Sequence, residues 1–183
     1  MTRIHTPASI DAAPEASRGL LAAVGKQLGT VPNLFRMVAN SPAALEGYLG
    51  LSGALAKGSL PAATRERIAL AVAEANGCEY CLSAHTYLGR HVAKLSDAEM
   101  AANRSGVSED AVADAAVRFA RRVLDQRGRV SDAEIQVIRD AGYTDGQIVE
   151  IVQHVALNVW TNYVNNVAQT VVDFPAVTLR KVA

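Results

Sequence analysis

Four residues in one stretch of the sequence have the types and the spacing needed for thiol chemistry. Cys78 and Cys81 are the only cysteines, His85 follows four residues later, and Glu66 precedes Cys78 by twelve residues. The thiolate is the reactive form of cysteine, and a C-x-x-C thiol at a helix N-terminus can have a pKa of roughly 3.5–7.5. An imidazole can accept the thiol proton, and a carboxylate can orient that imidazole. Together the four residues predict an activated sulfur nucleophile.

Two consecutive helices are expected to position these residues. Residues Pro61–Ala75 carry apolar side chains at helical spacing, and the Asn-Gly pair that follows should end this helix. If a second helix begins near Cys78, the two thiols and His85 lie at i, i+3 and i+7 and share one face. If the two helices pack antiparallel, Glu66 can reach the imidazole.

The roles of the two sulfurs and of a second carboxylate follow less directly from the sequence. Cys81 is one turn from His85, which favours it as the attacking thiol and Cys78 as the resolving thiol. The reverse order stays open, because Cys78 is nearer the helix N-terminus, where a thiolate is stabilised. Glu74 is a weaker candidate, since it lies four residues before Cys78 across the predicted helix break.

Two other interpretations of the cysteines compete with redox chemistry. Unpaired cysteines are often small core residues. Two thiolates, an imidazole and a carboxylate also make a four-ligand zinc set, although structural zinc sites usually take their ligands from two separate clusters. The sequence has no second C-x-x-C and no H-x-x-x-H. We therefore expect no metal and no cofactor.

The motif resembles the active-site signature of the alkyl hydroperoxidase D-like branch of the carboxymuconolactone decarboxylase superfamily. The branch pattern is a Glu, eleven intervening residues, C-x-x-C, three residues and a His, which Glu66, Cys78, Cys81 and His85 match. The similarity covers roughly residues 30–175. Some members carry a further histidine between the cysteines, where this chain has Tyr80. Decarboxylases of the superfamily generally lack the C-x-x-C, which argues against that activity here.

The resemblance implies an all-α bundle and a thiol-dependent peroxidase or disulfide reductase. The expected partners are a hydroperoxide substrate, an external dithiol or reductant protein, and further copies of the chain in a trimer or hexamer. A lyase or isomerase acting on a cyclic acid or lactone is the alternative enzyme class. A redox-sensing module without turnover is the non-enzymatic alternative.

Composition excludes several other classes of function. Acidic and basic residues balance at 18 each, so no basic excess exists to bind nucleic acid. The N-terminus has no continuous apolar run typical of a secretory signal, and no stretch is long and apolar enough to cross a membrane. A cytoplasmic location is the resulting expectation, and in that compartment a C-x-x-C is more often catalytic than structural.

The chain read in order predicts one domain of seven to nine helices. Residues 1–16 lack periodicity and are expected to form a flexible arm, with the helical domain spanning residues 17–183. Capping boxes are predicted at Ser96 and Ser131, and caps at Ser41, Ser108 and Thr144. No run alternates like a strand, and residues 167–174 are the only β-rich piece.

The last predicted helix, from Asp145 to about Thr170, is rich in side-chain amides. Such amides indicate either a solvated face or a contact surface, within one chain or between subunits. If the contact surface lies between subunits, the candidate interface anchors are Tyr143, Trp160 and Tyr163. His154 is interpreted as structural, and His5 and His91 lie away from the thiol face.

Overall fold

The computed structural model describes residues 2–180, and this part of the chain forms nine α-helices and no strand. The all-α prediction is therefore confirmed. None of the helices within these residues is long and apolar enough to cross a bilayer. The helices are α1 (Glu15–Leu28), α2 (Asn33–Val38), α3 (Pro42–Leu55), α4 (Ala62–Ala75), α5 (Glu79–His91), α6 (Asp97–Arg104), α7 (Ala111–Asp125), α8 (Asp132–Asp140) and α9 (Asp145–Ala168).

Helix α4 is the central element of the bundle. Its residues 68–73 are all buried, as expected for a helical segment that is apolar on every side. Leu70 and Ala73 belong to one core cluster, which includes residues of α1, α2, α3 and α5. Ile68 and Val72 belong to a second cluster with residues of α7, α8 and α9. Helix α4 therefore contributes residues to both cores and lies between them.

The turn between α4 and α5 has a Schellman geometry that determines where α5 begins. Gly77 is left-handed, with φ +62°, a conformation that glycine adopts without strain. Its N–H donates to the carbonyl of Glu74, and the N–H of Cys78 donates to the carbonyl of Ala73. The predicted Asn-Gly break is confirmed, and it places Cys78 at the first position of the next element.

Most predicted helix caps are confirmed, and one is wrong. Ser131 and Thr144 both form complete capping boxes, and Ser41 caps α3. Ser96 accepts a bond from the N–H of Glu99, but the Glu99 carboxylate bonds elsewhere, so this box is incomplete. Helix α7 is capped by Asp110, not by Ser108. The Ser108 hydroxyl instead donates to Glu99 at 2.6 Å. The long-range acceptor therefore displaces Ser108 from the local cap.

Both ends of the described chain lie against the helices. The N–H of Arg3 donates to the carbonyl of Ala168, and Ala13 is buried. These contacts differ from the loose arm that the composition of residues 1–16 suggested, while the domain boundary itself stays a prediction. At the other end, residues 169–180 are not helical, and the N–H of Val177 donates to the Ser83 hydroxyl on α5.

Candidate functional site

The two cysteines lie at the start of α5 and are paired as a disulfide. Cys78 is the N-cap residue, and its sulfur accepts a hydrogen bond from the N–H of Cys81 at 3.2 Å. Their Cα atoms are 5.3 Å apart. Cys78 is 0% exposed and Cys81 is 3% exposed. A cysteine in this capping position has the helix N-terminus beside it, which stabilises negative charge on sulfur.

His85 and Glu66 are in direct contact, as the sequence predicted. The Nδ1 atom of His85 lies 2.8 Å from Oε2 of Glu66, and their side chains are 22% and 21% exposed. A carboxylate can only accept, so in the neutral imidazole Nδ1 carries the proton and Nε2 is free to accept one. His85 lies one turn after Cys81 on the same helix. The antiparallel packing of α4 and α5 therefore brings a base and its orienting carboxylate to the thiol face.

The weaker carboxylate candidate, Glu74, does not belong to this group. Its Oε2 atom pairs with Arg104 at 2.6 Å, and its Oε1 atom accepts from the N–H of Arg180 at 2.7 Å. Both oxygens thus attach other segments of the chain to α4. Glu74 has a structural role in the bundle.

Tyr80, which lies between the cysteines, is also occupied by structural contacts. Its hydroxyl accepts a hydrogen bond from the N–H of Leu34, and its ring packs edge-on against Phe174. Burial raises the pKa of the Tyr80 hydroxyl. The residue therefore acts as a neutral packing group beside the sulfurs.

Two residues near the site were not singled out by the sequence. Nδ2 of Asn165 on α9 lies 3.3 Å from the sulfur of Cys81. Tyr48 on α3 stacks on Trp160, and burial together with the charge of Glu66 raises the pKa of Tyr48 to about 12. Asn165 lay within the amide-rich run, but nothing in the run distinguished it from its neighbours. No sequence signal pointed to Tyr48.

Three of the six amide side chains of α9 face the interior rather than solvent. Asn158, Asn162 and Asn165 are all buried, and Asn162 accepts a hydrogen bond from Asn76 at 2.9 Å. The interpretation as a solvated face is wrong for these three residues: Asn162 contacts the α4–α5 turn, Asn165 contacts Cys81 on α5, and Asn158 bonds within α9. The predicted contact surface is found here within one chain.

The aromatic residues proposed as interface anchors divide into two groups. Tyr143 is buried in the second core cluster, and its hydroxyl donates to the carbonyl of Val112, so its prediction as an interface anchor is wrong. Its position just before α9 directs the ring into the core. Trp160 and Tyr163 are 38% and 56% exposed, so they remain candidates.

The remaining histidines lie outside the contact between His85 and Glu66. His154 on α9 is buried, and its Nε2 atom has no hydrogen-bond partner within residues 2–180. Burial, and secondly the positive charge of Arg65, lower the pKa of His154 to about 4. His91 is exposed and packs against Tyr87 at the end of α5.

Metal-binding groups and cavities do not single out another site around the thiols. Within the described chain, no group of three or more His, Cys, Asp or Glu side chains is arranged to hold a metal ion. Two cavities, of about 260 and 310 Å³, both include Arg67 and Asp110 in their walls. Neither is lined by the cysteines, His85 or Glu66, so the candidate site lies outside both cavities.

Solved structures with the same fold include peroxidase-related proteins. An alkylhydroperoxidase AhpD core protein from Ralstonia eutropha JMP134, described as an uncharacterized peroxidase-related protein, is 27% identical. It superposes with a TM-score of 0.83 over 94% of this chain and 92% of its own. An uncharacterized peroxidase-related protein from Silicibacter sp. TM1040 is 24% identical, with a TM-score of 0.78 over 93% and 94% of the two chains.

The debrominase Bmp8, solved with 2,3,4-tribromopyrrole, shares the fold at 17% identity and a TM-score of 0.76, over 94% of each chain. No curated protein sequence matches this chain significantly. The sequence model of the carboxymuconolactone decarboxylase family matches residues 42–126, which include the predicted motif from Glu66 to His85. The chain is therefore similar to the carboxymuconolactone decarboxylase family over residues 42–126, and it shares the all-α AhpD-like fold.

Proposed function

We propose that this protein is a thiol-dependent hydroperoxidase. Cys78 and Cys81 form the redox pair, and His85, oriented by Glu66, accepts and returns the thiol proton. The observation that carries the proposal is the 2.8 Å contact between His85 and Glu66, one helical turn from a buried cysteine pair. A buried disulfide alone would be consistent with a structural role. An imidazole that a carboxylate orients next to the cysteine pair supports catalysis, because its second nitrogen can accept the thiol proton.

The reaction begins with the reduced pair. His85 takes the proton of one thiol, and the resulting thiolate attacks the terminal oxygen of the hydroperoxide. The O–O bond breaks, the sulfur becomes a sulfenic acid, and the alkoxide leaving group takes the proton from the imidazolium. The second thiol then attacks the sulfenic sulfur, which releases water and forms the Cys78–Cys81 disulfide. An external dithiol reduces this disulfide by exchange and becomes oxidised itself.

Glu66 has two tasks in this sequence. Its carboxylate fixes the proton of the neutral imidazole on Nδ1, which leaves Nε2 to accept the thiol proton. It also stabilises the imidazolium that exists while the thiolate attacks. Because both side chains are about one-fifth exposed while the sulfurs are buried, we expect substrate and reductant to approach from the side of His85 and Glu66.

The test combines a redox assay with a turnover assay. Intact mass after alkylation should show two accessible thiols in the reduced protein and none after mild peroxide, without dimerisation. Steady-state peroxide consumption with a dithiol should occur for the wild type and be lost in Cys81→Ser and in Cys78→Ser.

Other outcomes separate the alternatives. Thiols that stay alkylatable at millimolar peroxide, or one bound zinc per chain, would contradict the proposal. Activity on a cyclic acid or lactone that survives replacement of both cysteines would favour the lyase. Disulfide formation that alters partner binding without turnover under excess reductant would favour the sensor.

We also propose that the protein assembles as a homotrimer or homohexamer through the outer face of α9. This face carries apolar side chains at helical spacing, and the exposed ones are Val149, Val152, Trp160, Tyr163 and Val167. A second copy is the occupant that the resemblance implies, and the number of subunits rests on that resemblance alone.

Light scattering should give a mass of three or six chains, and Tyr163→Glu should lower it. Val137→Glu, which changes an exposed valine on α8, is the matched control. A mass near 19.3 kDa over a wide concentration range would contradict the proposal.

A further inference from the structure

Each sulfur of the cysteine pair receives one N–H donor, and the two donors differ in origin. The sulfur of Cys78 accepts from the backbone N–H of Cys81 at 3.2 Å. The sulfur of Cys81 accepts from Nδ2 of Asn165 at 3.3 Å. The first donor comes with the helix cap. The second comes from a side chain 84 residues away in sequence, so a single substitution can remove it.

The environment of Asn165 indicates that its amide serves the sulfur rather than the packing alone. The residue is 2% exposed, and its Oδ1 atom has no hydrogen-bond partner within residues 2–180. A buried carbonyl without a partner is unfavourable, so the orientation of this amide needs an explanation, and the contact of Nδ2 with the sulfur of Cys81 supplies one. Nearby, Asn158 is also buried, but its Nδ2 bonds to the carbonyl of His154 within the same helix.

We propose that Asn165 stabilises the thiolate of Cys81 and thereby makes Cys81 the attacking sulfur. This inference rests on the proposed thiol chemistry, and it assigns an order to the two cysteines, which the sequence left open. A hydrogen bond to the charged form of an acid lowers its pKa. In the reduced protein the N–H of Asn165 therefore favours the negative charge on Cys81, the sulfur one turn from His85.

The same contact has a consequence for the later steps. When the dithiol attacks the disulfide, the sulfur that leaves as the better-stabilised thiolate leaves faster. With Asn165 on Cys81, the external thiolate bonds to the sulfur of Cys78 and the electron pair of the broken S–S bond goes to Cys81. A second thiolate of the reductant then releases Cys78. Attack on peroxide and departure in exchange thus both use Cys81.

The experiment measures the pKa of one thiol at a time by pH-dependent alkylation. With Cys78→Ser as background, Asn165→Leu should raise the pKa of Cys81 by about one unit, which slows alkylation below that pKa about tenfold. Asn165→Asp, which is close in shape, should raise it further because a carboxylate replaces the donor. Asn158→Leu is the matched control and should leave the Cys81 profile unchanged.

A second background separates a direct effect from general disturbance. With Cys81→Ser, the only thiol is Cys78, and Asn165→Leu should leave its profile unchanged. An unaltered Cys81 profile in both Asn165 variants, or an equal shift at both cysteines, would overturn the assignment. Because no peroxide is used, a failure here is distinct from a failure of the proposed function, which peroxide turnover of the wild type tests.

Discussion

Glu66 and Arg67 are neighbours on α4, yet they belong to two polar clusters that differ in solvent exposure and in their hydrogen bonds. Glu66 contacts His85 beside the cysteines, and both side chains are about one-fifth exposed. Arg67 pairs at 2.6 Å with Glu99, whose side chain is 7% exposed. Glu99 also accepts bonds from Asn103, from the Ser108 hydroxyl and from the N–H of Glu109.

The two clusters also differ in the groups that surround their carboxylates. Burial alone would raise the pKa of Glu99, but the hydrogen bonds from Ser108, Asn103, Glu109 and Arg67 outweigh it and lower the pKa to about 2. The Glu66 carboxylate, by contrast, contacts the imidazole of His85 at 2.8 Å. A buried carboxylate that is held by four donors joins helices together, whereas a partly exposed pair of carboxylate and imidazole can exchange protons.

The largest expected effect is on turnover. His85→Ala and Glu66→Gln should each lower kcat/KM for peroxide by about 10²–10⁴-fold, with His85→Ala at least as severe, because general-base help is lost. The double variant should be no worse than His85→Ala, since the two residues act as a unit. Thermal unfolding of Glu66→Gln should be close to that of the wild type, because volume is kept. Additive losses would contradict a shared role.

The next effect is on stability and concerns the other cluster. Glu99→Ala should lower the free energy of unfolding by about 3–5 kcal/mol, because it leaves the Arg67 guanidinium without its partner. Urea denaturation measures the change. The thiol pKa of the folded protein should stay unchanged. A loss below 1 kcal/mol would show that the cluster is not what holds α6 against α4.

A smaller effect concerns the pH dependence of stability. His154 has a pKa of about 4 when folded, below its ordinary value of 6.5, so the unfolded chain binds a proton that the folded chain excludes. Its contribution to stability is present above pH 6.5 and is lost as the pH falls toward 4, by on the order of 2 kcal/mol at pH 5. His154→Leu should flatten this slope between pH 7.5 and 5.

An exposed histidine of the same chain provides the control for this prediction. His91→Asn replaces an exposed imidazole and should keep the wild-type slope. Glu99 contributes in a separate window, because its lowered pKa makes stability fall only as the pH drops from 4.5 toward 2. An unchanged slope in His154→Leu would show that the buried imidazole does not resist protonation.

The smallest effect is expected at an exposed ion pair. Arg90 and Asp97 are paired at 2.5 Å, with side chains 50% and 78% exposed. Asp97→Asn should change the free energy of unfolding by less than about 1 kcal/mol, because solvent screens such pairs. Urea denaturation of this variant and of Glu99→Ala, measured side by side, gives the difference in the free energy of unfolding. An equal loss in both variants would remove the contrast between buried and exposed pairs.

Features set by local chain geometry could be predicted from the sequence. The caps at Ser131 and Thr144 and the break at Gly77 depend on residues within one turn, and the structure confirms them. The contact of Glu66 with His85 could also be predicted, because the fixed break between two antiparallel helices sets their register. These predictions needed only helical geometry and residue type.

Features set by long-range packing could not be predicted in the same way. Ser108 has the type of a cap, but Glu99 takes its hydroxyl, and no local signal shows that preference. Asn165 reaches the Cys81 sulfur only because α9 packs beside α5. Helical periodicity places an amide on a face, but it does not show which atom of another helix that amide will meet.

The role of Glu66 in activating the thiol is tested most directly by comparing two carboxylates of α4. Glu66 contacts the imidazole, whereas Glu74 pairs with Arg104. The measurement is the pH dependence of thiol alkylation in the reduced wild type, in Glu66→Gln and in Glu74→Gln. We expect Glu66→Gln to raise the apparent pKa of the attacking thiol, because the carboxylate no longer favours an imidazolium beside the thiolate. Glu74→Gln should reproduce the wild-type profile. An unchanged profile in Glu66→Gln would remove Glu66 from the site and leave only the cysteines and His85.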